Sequence, residues 1–323
     1  MSDAPRLSIG LPVYNGEEYL AESIEALLGQ TFEDFELIIA DNASTDGTAA
    51  ICRRYMEQDS RIRYFRQPRN IGLSPNHNFA FAQSRGEFFC WAASDDLYAR
   101  DLYERCVAAL DEHHDAVLAA AWTAAIDSRR NLTQALDYPL VTDSPSAPVR
   151  FRSMLFGIEG DDGLIRADDD YGVIRSSVLR RVAPYNSFYH ADKTMMMELA
   201  LHGRFCHEPA WLYFRRDHDD RALHANPTVR RWCANLDPRR ADRLRHPVIR
   251  LYSEYFWGFV RAIQRAPLSA ADRLACYQCL GEWARNRALS RSDATVPADR
   301  LLIDPAADIS VDALVAGGEA VAP

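Results

Sequence analysis

The sequence LSIGLPVYNGEEYLAESIEALLGQT at residues 7–31 decides how the chain begins to fold. Apolar residues alternate from Leu7 to Val13, which predicts a strand, and Asn15 with Gly16 ends it. Apolar residues then recur from Leu20 to Leu28 at the spacing of one helix face. The stretch therefore predicts a strand followed by an amphipathic helix.

The same alternation continues through the first 122 residues. Further short apolar runs lie at 35–40, 62–65, 88–92 and 116–122, with helical patterns between them. Strands separated by helices imply right-handed crossovers and parallel pairing. The sequence predicts an α/β fold with a mostly parallel sheet flanked by helices.

Polar residues follow three of these strands, at the edge where open α/β sheets bind ligands. Tyr14 follows the first strand, Asp41 the second, and Asp95 with Asp96 the fourth. Paired carboxylates suit Mg²⁺ or Mn²⁺, which would neutralise a diphosphate, although an isolated Asp-Asp pair is more often a helix cap or turn. The sequence has neither a Gly-x-Gly-x-x-Gly after the first strand nor a Walker phosphate loop, which argues against a dinucleotide oxidoreductase or an NTPase.

Composition narrows the classes further. The 323 residues carry a net charge of -9, so we expect no nucleic-acid partner. No apolar run reaches the roughly 18 residues of a membrane span, and Met1–Arg6 lacks a signal-peptide layout. Seven scattered cysteines favour reduced thiols. These features predict a cytoplasmic protein. Peripheral association with the inner face of the membrane is the alternative.

Four motifs in order resemble the nucleotide-sugar half of family 2 glycosyltransferases, which have the GT-A fold. The first is the opening stretch at 7–31, and the second is FELIIADNASTDGT at 35–48. The third and fourth lie together in RNIGLSPNHNFAFAQSRGEFFCWAASDDLY at 69–98. The segments DYGVIR at 170–175 and ADKTMMMELALHG at 191–203 resemble the acceptor half more loosely. The resemblance implies an inverting, metal-dependent transfer of a sugar from a nucleoside diphosphate to an acceptor hydroxyl or amine.

The resemblance also implies roles on the donor side. Pro12 and Tyr14 would lie against the base and ribose. Asp41 would accept a hydrogen bond from the base, which suits the imide of uracil or thymine, with guanine as an alternative. Asp96 would bind Mn²⁺ or Mg²⁺, and Asp95 would bind the ribose or a metal-bound water.

Some positions depart from the family pattern or have a structural alternative. The family carries a further aspartate where this chain has Ala93. Asn70, Gly72 and Asn78 match an element on the diphosphate side, but a glycine and two asparagines also serve backbone geometry and buried hydrogen bonds.

The acceptor half would supply the catalytic base. Asp192, at the start of a helix, matches that base, and its alternative is a first-turn acid favoured by the helix dipole. Arg215 and Arg216 are candidate phosphate contacts. His218 is a candidate metal ligand, against the alternative of a solvated loop histidine.

Two regions have open interpretations. The acidic residues Asp161-Asp162 and 168–170 predict an acceptor-side loop that could recognise an amino group, and fit no calcium loop. The basic segment 230–250 precedes two helical patterns with an aromatic stripe, which predicts packing on the sheet or a homodimer rather than membrane association.

The predicted organisation is a donor half at 1–125, an acceptor half at 126–225, a helical extension at 226–290 and a loosely ordered tail at 291–323. The acceptor remains a small molecule, a glycan or a lipid-linked sugar. Two other functions stay open: a degraded transferase fold that binds without turnover, and a sugar-phosphate nucleotidyltransferase, which would normally show a Gly-rich basic loop that this N-terminus lacks.

Overall fold

The structure is a computed structural model that describes residues 4–135, 138, 140–157, 168–219, 221–289 and 311–317. Its strands are β1 (Leu7–Val13), β2 (Phe35–Asp41), β3 (Ile62–Arg66), β4 (Phe88–Trp91), β5 (Leu97–Tyr98), β6 (Ala116–Ile126), β7 (Leu132–Ala135), β8 (Val173–Arg175) and β9 (Arg204–Arg216). Its helices are α1 (Leu20–Leu28), α2 (Thr48–Gln58), α3 (Leu73–Ala82), α4 (Leu102–Glu112), α5 (Ala147–Gly157), α6 (Ser176–Leu179), α7 (Ala191–His202), α8 (Ala222–Ala225), α9 (Val229–Leu236), α10 (Val248–Arg265), α11 (Ala270–Leu289) and α12 (Val311–Ala316).

These strands form one mixed sheet in the order β3-β2-β1-β4-β8-β6-β9-β5, with β7 paired to β6. The neighbours β3, β2, β1 and β4 are parallel, and so are β6 and β9. Because β8 is antiparallel to both β4 and β6, the two parallel groups point the same way. The predicted α/β fold with a mostly parallel sheet is confirmed, and the sheet runs through both predicted halves.

Helices cover both faces of the sheet. Alternate residues of β2 divide between them: Leu37 and Ile39 join the core beneath α1, α2 and α4, whereas Ile38 and Ala40 pack against α3. On this second face, a separate core joins α5 and α7 to the C-terminal helices. The apolar strand therefore reads as a continuous run because both of its faces are buried.

Most of the apolar stripe of α10 packs within the chain, whereas Trp257 is exposed. Leu251, Phe259 and Ile263 are fully buried. At Gly258 the helix approaches α7 so closely that a Cβ atom would lie 2.8 Å from Thr194. This glycine permits the close helix contact.

Part of the segment expected to be a loose tail is packed. In α12, Val311 and Leu314 are buried in the core beneath α4. Asp312 also forms an ion pair with Arg130 at 2.8 Å. Apolar burial of this short helix holds residues 311–317 on the body.

Candidate active site

A cavity of about 1300 Å³ opens at the carboxyl ends of the parallel strands. Its lining comes from the ends of β1, β2, β4, β6 and β9, from the start of α3 and from the start of α7. The sheet therefore gathers residues from both halves of the chain around one space, which is large for a ligand pocket.

The end of β1 contributes Pro12 to the lining, and the loop after it contributes Tyr14. Asn15 adopts a positive φ of 51° and accepts a hydrogen bond on Oδ1 from the backbone N–H of Thr45, at 2.8 Å. Its own N–H donates to Ser44 Oγ at 2.9 Å. These bonds tie the loops after β1 and β2 together.

Asp41 lies outside the lining, and its neighbour Asn42 takes its place. Asp41 is fully buried, and its carboxylate accepts hydrogen bonds from the Ser44 N–H at 2.8 Å and the Tyr64 hydroxyl at 2.7 Å. Asn42 lines the cavity, and its Oδ1 accepts from the Ile71 N–H at 2.8 Å. Asp41 is the last residue of β2 and supports the strand end from within.

Asn76 brings a second amide to the same end of β2. It is 2% exposed and lines the cavity, and its Nδ2 donates to the carbonyl of Ala40 at 2.6 Å. Within the part of the chain that the structure describes, its Oδ1 has no hydrogen-bond partner. A buried acceptor without a partner is costly unless a ligand satisfies it.

The sequence predicts that Asp96 binds the metal ion, but in the structure Asp95 faces the cavity and Asp96 is buried behind it. Asp95 lines the cavity and accepts a hydrogen bond from His218 Nε2 at 3.0 Å. Asp96 is fully buried, where it accepts from the Tyr213 hydroxyl and, at 2.8 Å, from the Arg216 N–H. Burial, together with the charge of Asp95, raises the pKa of Asp96 to about 7.

The position of Asp96 follows from the sheet. Directly after it, β5 pairs antiparallel with β9, with Leu97 opposite Phe214. This pairing brings Asp96 against β9, where it ties the two halves together. Asp95 and His218 are left facing the cavity, and their hydrogen bond raises the pKa of His218.

The candidate phosphate contacts separate in the same way. Arg216 is fully buried and donates to the carbonyls of Asp95 and Ser128 and to Glu22 Oε2, so its guanidinium is held away from the lining. Arg215 lines the cavity and pairs with Asp168 at 3.2 Å.

Sequence reasoning missed Arg221, which also lines the cavity. Burial lowers the pKa of Arg221, but the negative charge of Asp96 and of other neighbours raises it overall. The guanidinium therefore stays charged beside the aspartate pair. Its position three residues after His218 was the only signal in the sequence.

Asp192 lies in the first turn of α7 and lines the cavity. The N-cap residue of α7, His190, adopts a left-handed conformation with φ 56°, a strained geometry for a residue other than glycine. Burial raises the pKa of the neighbouring Asp170 well above its usual range, and the charges of Asp168 and Asp192 raise it further. Ionisation of Asp170 is therefore disfavoured beside the candidate base.

The three acids at 168–170 have different surroundings, and Asp161-Asp162 lie outside the described residues. Asp169 is buried, pairs with His207 at 2.9 Å and accepts from the Tyr138 hydroxyl at 2.7 Å. Asp168 and Asp170 line the cavity. The described part of this cluster therefore contributes both internal support and cavity wall.

The turn before α3 has structural roles. Gly72 has φ 94°, and a Cβ atom there would lie 2.6 Å from the carbonyl oxygen of Leu236. Asn70 Oδ1 accepts from the Gly72 N–H at 2.9 Å, while Asn78 exchanges two hydrogen bonds with the backbone of Tyr185. Asn70 also lines the cavity.

Among the described residues no group of three or more His, Cys, Asp or Glu side chains could hold a metal ion. The helices of the described segments include none that is long and apolar enough to cross a membrane.

Comparisons with known proteins agree with this architecture. The chain is 36% identical over 114 residues to the putative glycosyltransferase EpsE of Bacillus subtilis, covering 35% of this chain and 41% of EpsE. It is 34% identical over 98 residues to the glycosyltransferase GlyG of Streptococcus pneumoniae, covering 30% of this chain and 33% of GlyG. The chain thus matches less than half the length of either relative.

Solved structures share the fold at low sequence identity. S. aureus TarS 1–349 in complex with UDP-GlcNAc has a TM-score of 0.61 at 20% identity, covering 88% of this chain and 74% of TarS 1–349. The mannosyltransferase PcManGT of Pyrobaculum calidifontis, in complex with GDP-Man and Mn²⁺, has a TM-score of 0.51 at 15% identity, covering 92% and 78%.

The family model for glycosyl transferase family 2 matches residues 8–221, which contain the whole sheet apart from Leu7 and every donor-side and acceptor-side residue discussed above. The match covers about two thirds of the chain. This chain belongs to glycosyl transferase family 2.

Proposed function

We propose that the protein is an inverting, metal-dependent glycosyltransferase that moves a sugar from a nucleoside diphosphate to an acceptor hydroxyl or amine. The observation that carries this proposal is the convergence of Asp192 with the Asp95–His218 pair on one cavity. Asp95 follows β4, His218 follows β9 and Asp192 lies at the start of α7, so the cavity brings two candidate cation ligands together with a separate carboxylate.

The side chains of Asp95 and His218 suit Mn²⁺ or Mg²⁺. Mg²⁺ is commonly bound through one or two protein carboxylates, with substrate phosphates and water completing its shell, and imidazole also suits Mn²⁺ and related metals. Two protein ligands are therefore enough when a diphosphate supplies the others. Bound there, the ion would neutralise charge that develops on the departing diphosphate.

The end of β2 supports a preference for UDP or dTDP. The unpaired Oδ1 of Asn76 is an acceptor suited to the imide N–H of uracil or thymine. Pro12 and Tyr14 supply apolar and aromatic surface for the base and ribose. Guanine also carries N–H donors, so GDP remains the alternative.

Asp192 is proposed as the general base. Its carboxylate takes the acceptor proton while the acceptor oxygen or nitrogen bonds to the anomeric carbon. The bond from that carbon to the diphosphate oxygen breaks, and its electron pair leaves with the diphosphate. Attack from the side away from the leaving group inverts the configuration.

Arg221 and Arg215 would support the charges in this step. Arg221 stays cationic beside the aspartate pair and is well suited to a diphosphate oxygen. Arg215, paired with Asp168, lies on the acceptor half. The acceptor class itself, a small molecule, glycan or lipid-linked sugar, depends on the loops around Asp168.

A thermal-shift panel tests the proposal. UDP, dTDP, GDP and CDP are each added with and without Mn²⁺, with NAD as the control ligand. We expect a Mn²⁺-dependent rise in Tm with UDP or dTDP and none with NAD. Absence of a shift with every nucleotide would refute nucleotide-sugar binding, whereas a Mn²⁺-dependent shift without any sugar transfer would favour the degraded transferase fold.

A product assay then tests inversion. With an α-linked donor identified from the panel, we expect a β-configured sugar in the first product detected by NMR. A product that keeps the donor's configuration would refute the inverting mechanism.

A further inference from the structure

The start of α10 and the segment before it expose an unusual amount of apolar surface. Leu244 is 94% exposed and Ile249 79%, with Trp257, Tyr252 and Val248 at 53%, 52% and 44%. These five residues, here called the apolar face of α10, are half of the ten exposed large hydrophobic side chains in the described residues. Surface of this kind, clustered in one segment, indicates an interaction site.

The same region is basic, although the chain as a whole is acidic. Residues 230–250 contain seven arginines and two acids, in a protein of net charge -9. The side chains of Arg239 and Arg245 are 84% and 83% exposed, and Arg243 is exposed as well. Asp237 and Asp242 pair with Arg239 and Arg245, and Glu254 pairs with Arg240 and Arg250; these three acids offset only part of the positive charge.

The apolar face adjoins the acceptor half of the cavity. The Tyr252 ring contacts the Tyr189 ring, with centroids 5.8 Å apart, and Tyr189 lines the cavity next to Asp192. Trp232 of α9, within the basic stretch, lines the cavity too. A partner seated on the apolar face therefore lies beside the route to the proposed base.

We infer that the apolar face of α10 and its flanking arginines dock the protein on an anionic phospholipid bilayer, with the acceptor side of the cavity next to the membrane. Trp and Tyr suit the lipid–water interface, while Leu244 and Ile249 reach into the acyl boundary. The arginines pair with lipid phosphates, and each contributes attraction to an anionic leaflet. The docking rests on this surface; its use for a membrane-borne acceptor rests on the proposed function.

The arginines also distinguish a bilayer from a second copy of the chain. A two-fold dimer through this surface would place the same patch on both partners, so Arg243 and Arg245 would face arginines. Like charges brought together at an interface oppose association. An anionic bilayer complements both the apolar and the basic parts.

Co-sedimentation with vesicles tests the inference without any sugar donor. The full chain is mixed with vesicles of phosphatidylcholine alone, or of phosphatidylcholine with phosphatidylglycerol. We expect binding to the anionic vesicles only, weakened at high salt. The double variant Leu244→Ser/Ile249→Ser should reduce the partition coefficient on the order of tenfold or more. Arg243→Gln and Arg245→Gln should each reduce it about fivefold.

Leu274→Ser is the matched control, because Leu274 is 59% exposed on α11, outside the apolar face. This variant should bind vesicles like the wild type, and all variants should keep their Tm and their nucleotide response. No binding to anionic vesicles, or equal binding by the double variant, would overturn the inference. So would a wild-type dimer that Ile249→Ser dissociates in sedimentation velocity. A failed nucleotide response would instead count against the proposed function alone.

Discussion

Replacing Asp95 and Asp96 by asparagine, one at a time, tests which of the two aspartates binds the metal ion. The structure favours Asp95, whereas the sequence predicts Asp96. Asp95→Asn removes the only carboxylate of the proposed metal pair. Asp96→Asn keeps an oxygen for the Arg216 N–H, and the Tyr213 oxygen can accept from the new amide. We therefore expect Asp95→Asn to lose metal-dependent nucleotide binding and Asp96→Asn to retain it.

The magnitude follows from mass action. Nucleotide with Mn²⁺ at about 100 times its Kd stabilises the wild type by about 2.7 kcal/mol. Mutation of residues that hydrogen-bond to metal ligands lowers metal affinity by up to about 100-fold. Loss of a carboxylate ligand itself should weaken binding at least as much. At the same concentration the stabilisation of Asp95→Asn then falls to about 0.4 kcal/mol. At roughly 2–4 °C per kcal/mol, a shift of several degrees shrinks to about one degree.

The assay is a Tm measurement with and without nucleotide and Mn²⁺ on three proteins: wild type, Asp95→Asn and Asp96→Asn. The Asp96 variant should keep a ligand shift close to that of the wild type. If Asp96→Asn loses the shift and Asp95→Asn keeps it, the assignment of the cavity-facing acid is wrong.

Three further changes test the surroundings of the site by reversible unfolding. Burial lowers the pKa of His77 to about 4, so the folded protein resists protonation of this imidazole. The free energy of unfolding should therefore fall by up to about 3 kcal/mol as the pH drops from about 6.5 to 4. His77→Gln should flatten this pH dependence, and an unchanged pH profile of the variant would contradict the explanation. The raised pKa of Asp170 has the opposite effect, so the free energy of unfolding should fall as the pH rises above about 4. Asp170→Asn should therefore raise the Tm at neutral pH. A lower Tm would refute burial of this carboxyl group as the cause. Gly72→Ala should cost about 1–3 kcal/mol, because its φ is 94° and the new Cβ would meet the Leu236 carbonyl; a neutral effect would show that the turn relaxes.

The donor half was the more predictable part of the fold. From Leu7 to Trp122 every strand except β5 contains a short apolar run, and α1, α2 and α4 have a regular apolar spacing, so local pattern and global fold agree there. The acceptor half is less regular. In α7 every residue from Thr194 to Leu201 is buried, so no polar face marks the helix boundary. The strand β8 has only three residues, too few for a periodic signal, and the same holds for the two-residue β5 of the donor half.

At the strand ends the sequence indicated the right segments but not which of two neighbours faces the cavity. Asp41 still pairs with Val13 in the sheet, and Asp96 is drawn toward β9 by the pairing of β5. Successive side chains of a strand point to opposite faces, so a shift of one residue exchanges a ligand contact for an internal support. Which of the two neighbouring residues faces the cavity depends on how the strands pair in the folded protein. A single sequence does not reveal this pairing.

The central claim is that Asp192 activates the acceptor. The most direct measurement is the initial rate of nucleoside-diphosphate release from the identified donor by wild type and Asp192→Asn, with the exposed Asp34→Asn as control. We expect Asp192→Asn to lower the rate by about 10²- to 10⁴-fold and to keep donor binding, measured by the Tm shift, and we expect Asp34→Asn to match the wild type. Turnover by Asp192→Asn at the wild-type rate would contradict the account.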